Sequence, residues 1–321
     1  MHIGWETLRY LETEPTARKY LASKYTQRGI DHPDRQAFQQ SNRFLYTLKQ
    51  SRAYYHAASR SDLLIKPLLL FYGCINLLKA LLIAQDPYYP QNSRMLQHGV
   101  TTRKIKKSPY VFLEDEVRPQ KEGLFSVLTE KFNLSPIYDR YSAHQLFSYL
   151  PELCSDFHRT LDQRFWYEVQ VDRNHPDGTL LRFPEAQEGI IFFSPDTFIE
   201  ILNRQSPDGL RFELSSELQI PQKSVHYRIN SSRSLEDHPL FSLNANQFLF
   251  WNYSSEDFPL PAWATHYLLL YLLGMVCRYD TNWWGDLVLS HSYAEMFLIE
   301  QFLRTHEKEF PLRIWSLMEQ M

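Results

Sequence analysis

Residues 63–84, LLIKPLLLFYGCINLLKALLIA, decide the fold class. Apolar side chains occupy nearly every position, and a helix that is apolar on all sides must be buried on all sides. Lys66, Pro67, Asn76 and Lys79 interrupt the run, which argues for the central helix of a soluble core and against a bilayer span. A helix over 62–84 therefore needs neighbours, and the flanking sequence offers them. The spacing predicts a long helix over 34–59, opened by Asp31 and Pro33, with Phe38, Leu45, Leu48 and Tyr55 on one stripe. The turn between the two is very short, so they are antiparallel partners. Shorter helices are expected over 4–12 and 15–26.

A second, equally apolar helix is predicted over 262–278, AWATHYLLLYLLGMVCR, opened by Pro261. Residues 282–305 are amphipathic, and a last helix closes the chain over 309–320. Between the two apolar helices the character changes at Gln85. A loop rich in Pro, Ser, Thr and charge leads to short pieces: a strand at 110–113, helices at 124–132, 143–160 and 195–204, and strands at 165–171, 179–183, 189–193, 210–214 and 225–229. The expected architecture is mainly α: a helical bundle built from residues 1–84 and 262–321, with an inserted mixed α/β region over 85–261. The apolar helices 62–84 and 262–278 are expected to pack on each other.

The hydrophobic fraction is 44% and the aromatic fraction 15%, which excludes a disordered chain. A formal net charge of -3 provides no global field for nucleic acid or an anionic membrane. Cys74, Cys154 and Cys277 lie in apolar stretches without metal-ligand spacing, as expected of buried, reduced thiols in a cytoplasmic protein; no metal and no cofactor is expected. The N-terminus has no apolar segment of the secretory kind. Glycine-rich phosphate cradles and nucleophile-elbow motifs are absent from the sequence.

Several pieces, in order, resemble the bacterial YaaC-like family: KPLLLFYG (66–73), LLKALL (77–82), DPYYP (86–90), HGV (98–100), Arg103-Lys104, FLEDEV (112–117), GLF (123–125), and RYD (278–280) with Trp283. The resemblance implies a bacterial cytosolic protein and carries no activity over to particular residues. RAYYHAA (52–58), the central helix and His98-Gly99 also look like the HEPN class of helical bundles. Many members of that class are ribonucleases using an Arg followed four to six residues later by His. Arg233 and His238 fit that spacing, though Pro239 pushes His238 out of helical geometry.

The candidate binding residues are polar groups at costly or concentrated positions. Lys66, Tyr72 and Lys79 lie in the apolar central helix, where an unpaired lysine is expensive. His98, Arg103, Lys104, Lys106 and Lys107 form a basic loop suited to phosphate or to an acidic surface. Glu114, Asp115 and Glu116 follow it as structural pairing partners. Arg278 ends the second apolar helix beside Tyr279, Trp283 and Trp284, where it can cap or stack. The leading expectation is a non-catalytic, regulatory protein that binds a protein partner or a phosphate-bearing ligand through the basic loop, with self-association left open. The alternative is a metal-independent, HEPN-type ribonuclease of a defence or toxin system, with RNA as substrate.

Overall fold

The computed structural model describes residues 3–103, 110–135, 137–176, 178–215, 224–229, 233–253, 258–290 and 292–320. The helices in chain order are α1 (Ile3–Arg9), α2 (Glu14–Gln27), α3 (Pro33–Ala58), α4 (Lys66–Gln85), α5 (Leu124–Lys131), α6 (Ala143–Ser148), α7 (Cys154–Leu161), α8 (Pro195–Gln205), α9 (Ala262–Tyr279), α10 (Thr281–Leu289) and α11 (Glu295–Gln320). The strands are β1 (Val100–Arg103), β2 (Glu116–Pro119), β3 (Tyr141–Ser142), β4 (Trp166–Asp172), β5 (Thr179–Arg182), β6 (Leu210–Leu214), β7 (Ser224–Ile229), β8 (Phe241–Asn244) and β9 (Gln247–Trp251). The protein is mainly α and divides into two compact units, one of residues 1–147 with 261–321, the other of residues 148–260.

In the first unit α3 packs on α4, and one residue makes room for the contact. A Cβ on Gly73 would come within 2.7 Å of the Tyr55 ring, so glycine lets the backbones approach. Ser51 Oγ, buried at the contact, donates to Gly73 O at 2.6 Å. On its other side α4 packs on α9, where the Phe71 ring meets Tyr267 and Tyr271 at 5.7 and 5.6 Å. The two most apolar helices thus bury one another, as their composition requires. Among the described helices α4 alone is long and apolar enough to cross a bilayer, yet its side chains are mostly buried inside this unit.

A fully buried polar chain ties three helices together: Tyr55 Oη lies 2.7 Å from His306 Nε2, and His306 Nδ1 lies 2.9 Å from His266 Nδ1. One imidazole must donate to the other, so the two cannot both be charged in this arrangement. Residues 85–147 cluster with these helices. The antiparallel sheet β1-β2-β3 packs on α9, and Phe125 stacks on Tyr267 at 5.7 Å.

Several local expectations change. Phe38 is exposed, because the buried stripe of α3 runs through Ala37, Ser41, Phe44, Leu48, Ser51 and Tyr55 instead. The strand expected at 110–113 is a 3-10 turn over Phe112–Glu114, held by Phe112 N–H donating to Glu295 Oε1 at 3.0 Å. Pro151 starts a 3-10 turn that divides the expected helix 143–160 into α6 and α7, since proline cannot continue the preceding helix. Residues 282–305 are likewise divided between α10 and α11, while α11 continues through Pro311 to Gln320. Cys74 and Cys277 are buried, but Cys154, at the start of α7, is half-exposed.

The second unit carries the antiparallel sheet β6-β7-β5-β4-β9-β8. Ala245 and Asn246, both at positive φ, make the two-residue turn of the β8–β9 hairpin. Its core is aromatic: Phe183 meets Phe198 and Phe250 edge-on at 4.9 and 5.1 Å, and Phe241 meets Phe250 at 5.1 Å. The strand expected at 189–193 is a 3-10 turn. Asn252 captures it, its Oδ1 accepting from Ile191 N–H at 3.0 Å while its Nδ2 donates to Glu188 O at 2.9 Å. Asn252→Ala strands both backbone groups, and its urea midpoint is expected to show a loss of about 2 kcal/mol. An unchanged midpoint would mean that water replaces the amide.

Candidate anion-binding site

Along α4 the half-exposed positions Tyr72, Asn76 and Lys79 recur at i, i+4 and i+7, a single stripe down a helix otherwise largely packed. The close α3–α4 approach brings Tyr54 against Tyr72 in a stack at 5.7 Å. From the C-terminal end of α9, Arg278 Nη1 donates to Tyr72 Oη at 3.2 Å, and its Nη2 reaches Met275 Sδ at 3.4 Å. The guanidinium lies 4.4 Å over the ring of Tyr279. Its Nε is buried and has no hydrogen-bond partner.

His98 joins from the loop before β1, and glycines fix its place. Gly99 has φ +74, and a Cβ on it would lie 3.0 Å from Phe125 N. His98 O accepts from Phe125 N–H at 3.2 Å and from Tyr267 Oη at 2.8 Å. The imidazole rests on Phe71 at 5.1 Å and meets Tyr271 edge-on at 5.7 Å. Burial holds it below its ordinary pKa, and the charges of Arg278 and Lys79 push in the same direction. Burial likewise lowers Lys79, with Arg43 adding repulsion. Arg43, exposed on α3, donates to Tyr89 O at 2.6 Å.

Lys79 and Arg278 thus lie within electrostatic reach of His98, and Arg43 within reach of Lys79, and among the described residues none of the four forms an ion pair. The partly buried cations Lys79 and Arg278 carry a cost of desolvation and repulsion, which an anion accepting from them along this face of α4 relieves.

Other candidates are placed elsewhere. Lys66 pairs with Glu307 at 2.7 Å, a contact that accounts for its charge at the start of α4. Arg103 is exposed on β1, opposite Glu116 in the register. Lys104, Lys106 and Lys107 lie outside the described residues. Asp115 accepts from Tyr110 Oη at 2.6 Å, and Glu116 lies 3.5 Å from both Arg118 and Arg140. In the second unit, His238 is wholly buried: its Nδ1 accepts from Leu240 N–H at 3.2 Å, so its Nε2 carries the proton donated to Leu202 O at 3.0 Å. Both nitrogens are committed to main chain, and burial lowers the pKa to about 4. Arg233 is exposed and donates to Asp208 O at 3.3 Å.

Arg43 and the buried pair His266 and His306 were not singled out from the sequence. The histidines had a signal, imidazoles among apolar neighbours; Arg43 had none, being one more exposed charge on a helix. No three His, Cys, Asp or Glu side chains among the described residues form a cluster able to hold a metal ion.

The family model described as YaaC-like Protein matches residues 9–318, which include Arg43, Lys79, His98 and Arg278. No curated protein and no solved structure matches the chain.

Proposed function

We propose, for a chain that belongs to the YaaC-like family, a binding function: the first unit takes up a phosphate-bearing ligand in the groove along α4. One observation carries this proposal, the gathering of Lys79, His98 and Arg278 without a carboxylate partner. Arg103, exposed on β1, is a further cation open to a larger ligand or a protein partner, and the sequence after it is also basic. The helices of the two chain ends then form one bundle that carries the site, with the mixed α/β region inserted in it, in a cytoplasmic protein with a regulatory role. RNA cleavage through Arg233 and His238 has no place in it, because His238 has no free nitrogen to move a proton.

Each charge-assisted hydrogen bond to a phosphate oxygen contributes about 1.5–3 kcal/mol when well formed. Calorimetric titration with inorganic pyrophosphate, ADP and a hexaadenylate should therefore detect binding that weakens as salt rises. The double variant Lys79→Met, Arg278→Gln is expected to lose at least tenfold in affinity for whichever probe binds. Binding unaffected by the double variant, or no binding of any probe below millimolar concentration, would overturn the proposal.

A further inference from the structure

Beyond a bare anion, the ends of the groove differ in chemistry, and the difference bears on what the rest of the ligand is. Tyr279 is 65% exposed, yet one face of its ring is covered by the Arg278 guanidinium at 4.4 Å. A ring held on one face and still this exposed offers its other face to solvent. Tyr279 also lines a small cleft of about 40 Å³ with Thr102, Met275, Asp115 and Asp280. Those two carboxylates repel a phosphate, so the phosphate belongs on the cationic side of Arg278. On the cationic side stand Tyr72, His98 and Lys79, whose positions along α4 from Tyr72 to Lys79 span about 10 Å of helix rise. That length accommodates more than one phosphate.

We infer that the ligand is a nucleotide, its phosphates along Arg278, His98 and Lys79 and its base stacked on the outer face of Tyr279. This rests on the anion-binding role of the groove and adds the second half of the ligand. Stacking on an exposed aromatic ring is indifferent to base identity, because every base has a π face. The cation-backed tyrosine is thus a platform more than a reader of sequence. A free nucleotide and a nucleotide within a strand of RNA present the same phosphate and base chemistry.

Titrations of inorganic pyrophosphate, ADP and hexaadenylate into the full chain and into Tyr279→Ala separate the two levels. ADP is expected to bind at least tenfold tighter than pyrophosphate. In Tyr279→Ala that ratio should collapse toward one, whichever way the pyrophosphate affinity itself moves. Hexaadenylate tighter than ADP, with the advantage again lost in Tyr279→Ala, would support the inference and assign the source to a strand; ADP tighter than hexaadenylate would support it and assign a free nucleotide. Equal affinities for pyrophosphate and ADP, a ratio unchanged in Tyr279→Ala, or tighter binding of a polyglutamate peptide than of ADP would overturn the nucleotide inference while leaving the anion site standing. Failure of all the anions to bind would overturn both.

Discussion

An alanine in place of Gly123 is expected to destabilise the first unit by about 3 kcal/mol and to weaken anion binding with it. Gly123 has φ +120 and ψ -177, a region that side-chain-bearing residues hardly enter, at a cost of about 1–3 kcal/mol. Space adds to the conformational penalty, since a Cβ at this position would overlap the Gly99 backbone. Gly99 is itself at φ +74, so it is poorly placed to yield. The two glycines meet back to back, and together they hold the His98 main chain against α5 and α9. Urea unfolding checks the first part, and pyrophosphate titration at a temperature where the variant is folded checks the second. A loss below about 0.5 kcal/mol would show that the loop relaxes around the new methyl group.

Acidification is the second large effect. Burial lowers His238 in the second unit to about 4, and burial with the neighbouring His266 lowers His306 in the first well below its ordinary value. An unfolded chain protonates both near pH 6.5, whereas the folded chain does not. Between those values the unfolded state holds more protons, so stability rises with pH. It is fully present above about pH 6.5 and is lost as pH falls below that point, for His238 down to about pH 4. At pH 5 the stability lost through His238 amounts to about 2 kcal/mol. Urea midpoints between pH 7 and 4.5 should therefore fall, and His238→Asn should show a shallower fall in the second unit than the parent protein. Equal slopes for both would show that carboxylates, not this imidazole, set the acid limit.

The helical frame was legible because α4 and α9 declare themselves: near-uniform apolarity leaves them only burial, and each is the nearest apolar surface for the other. Tyr72, Lys79 and Arg278 stood out for a related reason, being polar groups in or at the end of apolar helices, and His98 stood out as part of a basic loop; Arg278 reaches the Tyr72 hydroxyl. Arg43 could not be found this way, since its role depends on an α3–α4 spacing set by Gly73. Lys66 shared the signal of Lys79, yet its partner Glu307 lies on the distant α11, and no local pattern announces such a pair. The 3-10 turns at 112–114 and 190–192 were read as strands because their apolar runs are short, and the hydrogen bonds from Glu295 and Asn252 that bend them come from far along the chain.

The first unit is assembled from two stretches of chain, residues 1–147 and 261–321, and this sets an order on its synthesis. When α4 leaves the ribosome, its principal apolar partner α9 has not been made. At roughly 5–20 residues per second, α4 waits roughly 10–35 s before residue 262 is added. The second unit, continuous from 148 to 260, is synthesised in full before α9 begins and needs no later segment for its core. A chain truncated after Leu260 would thus hold a folded, protease-resistant second unit while the α9-facing side of its α4 stays uncovered, a natural client for chaperones that hold apolar segments.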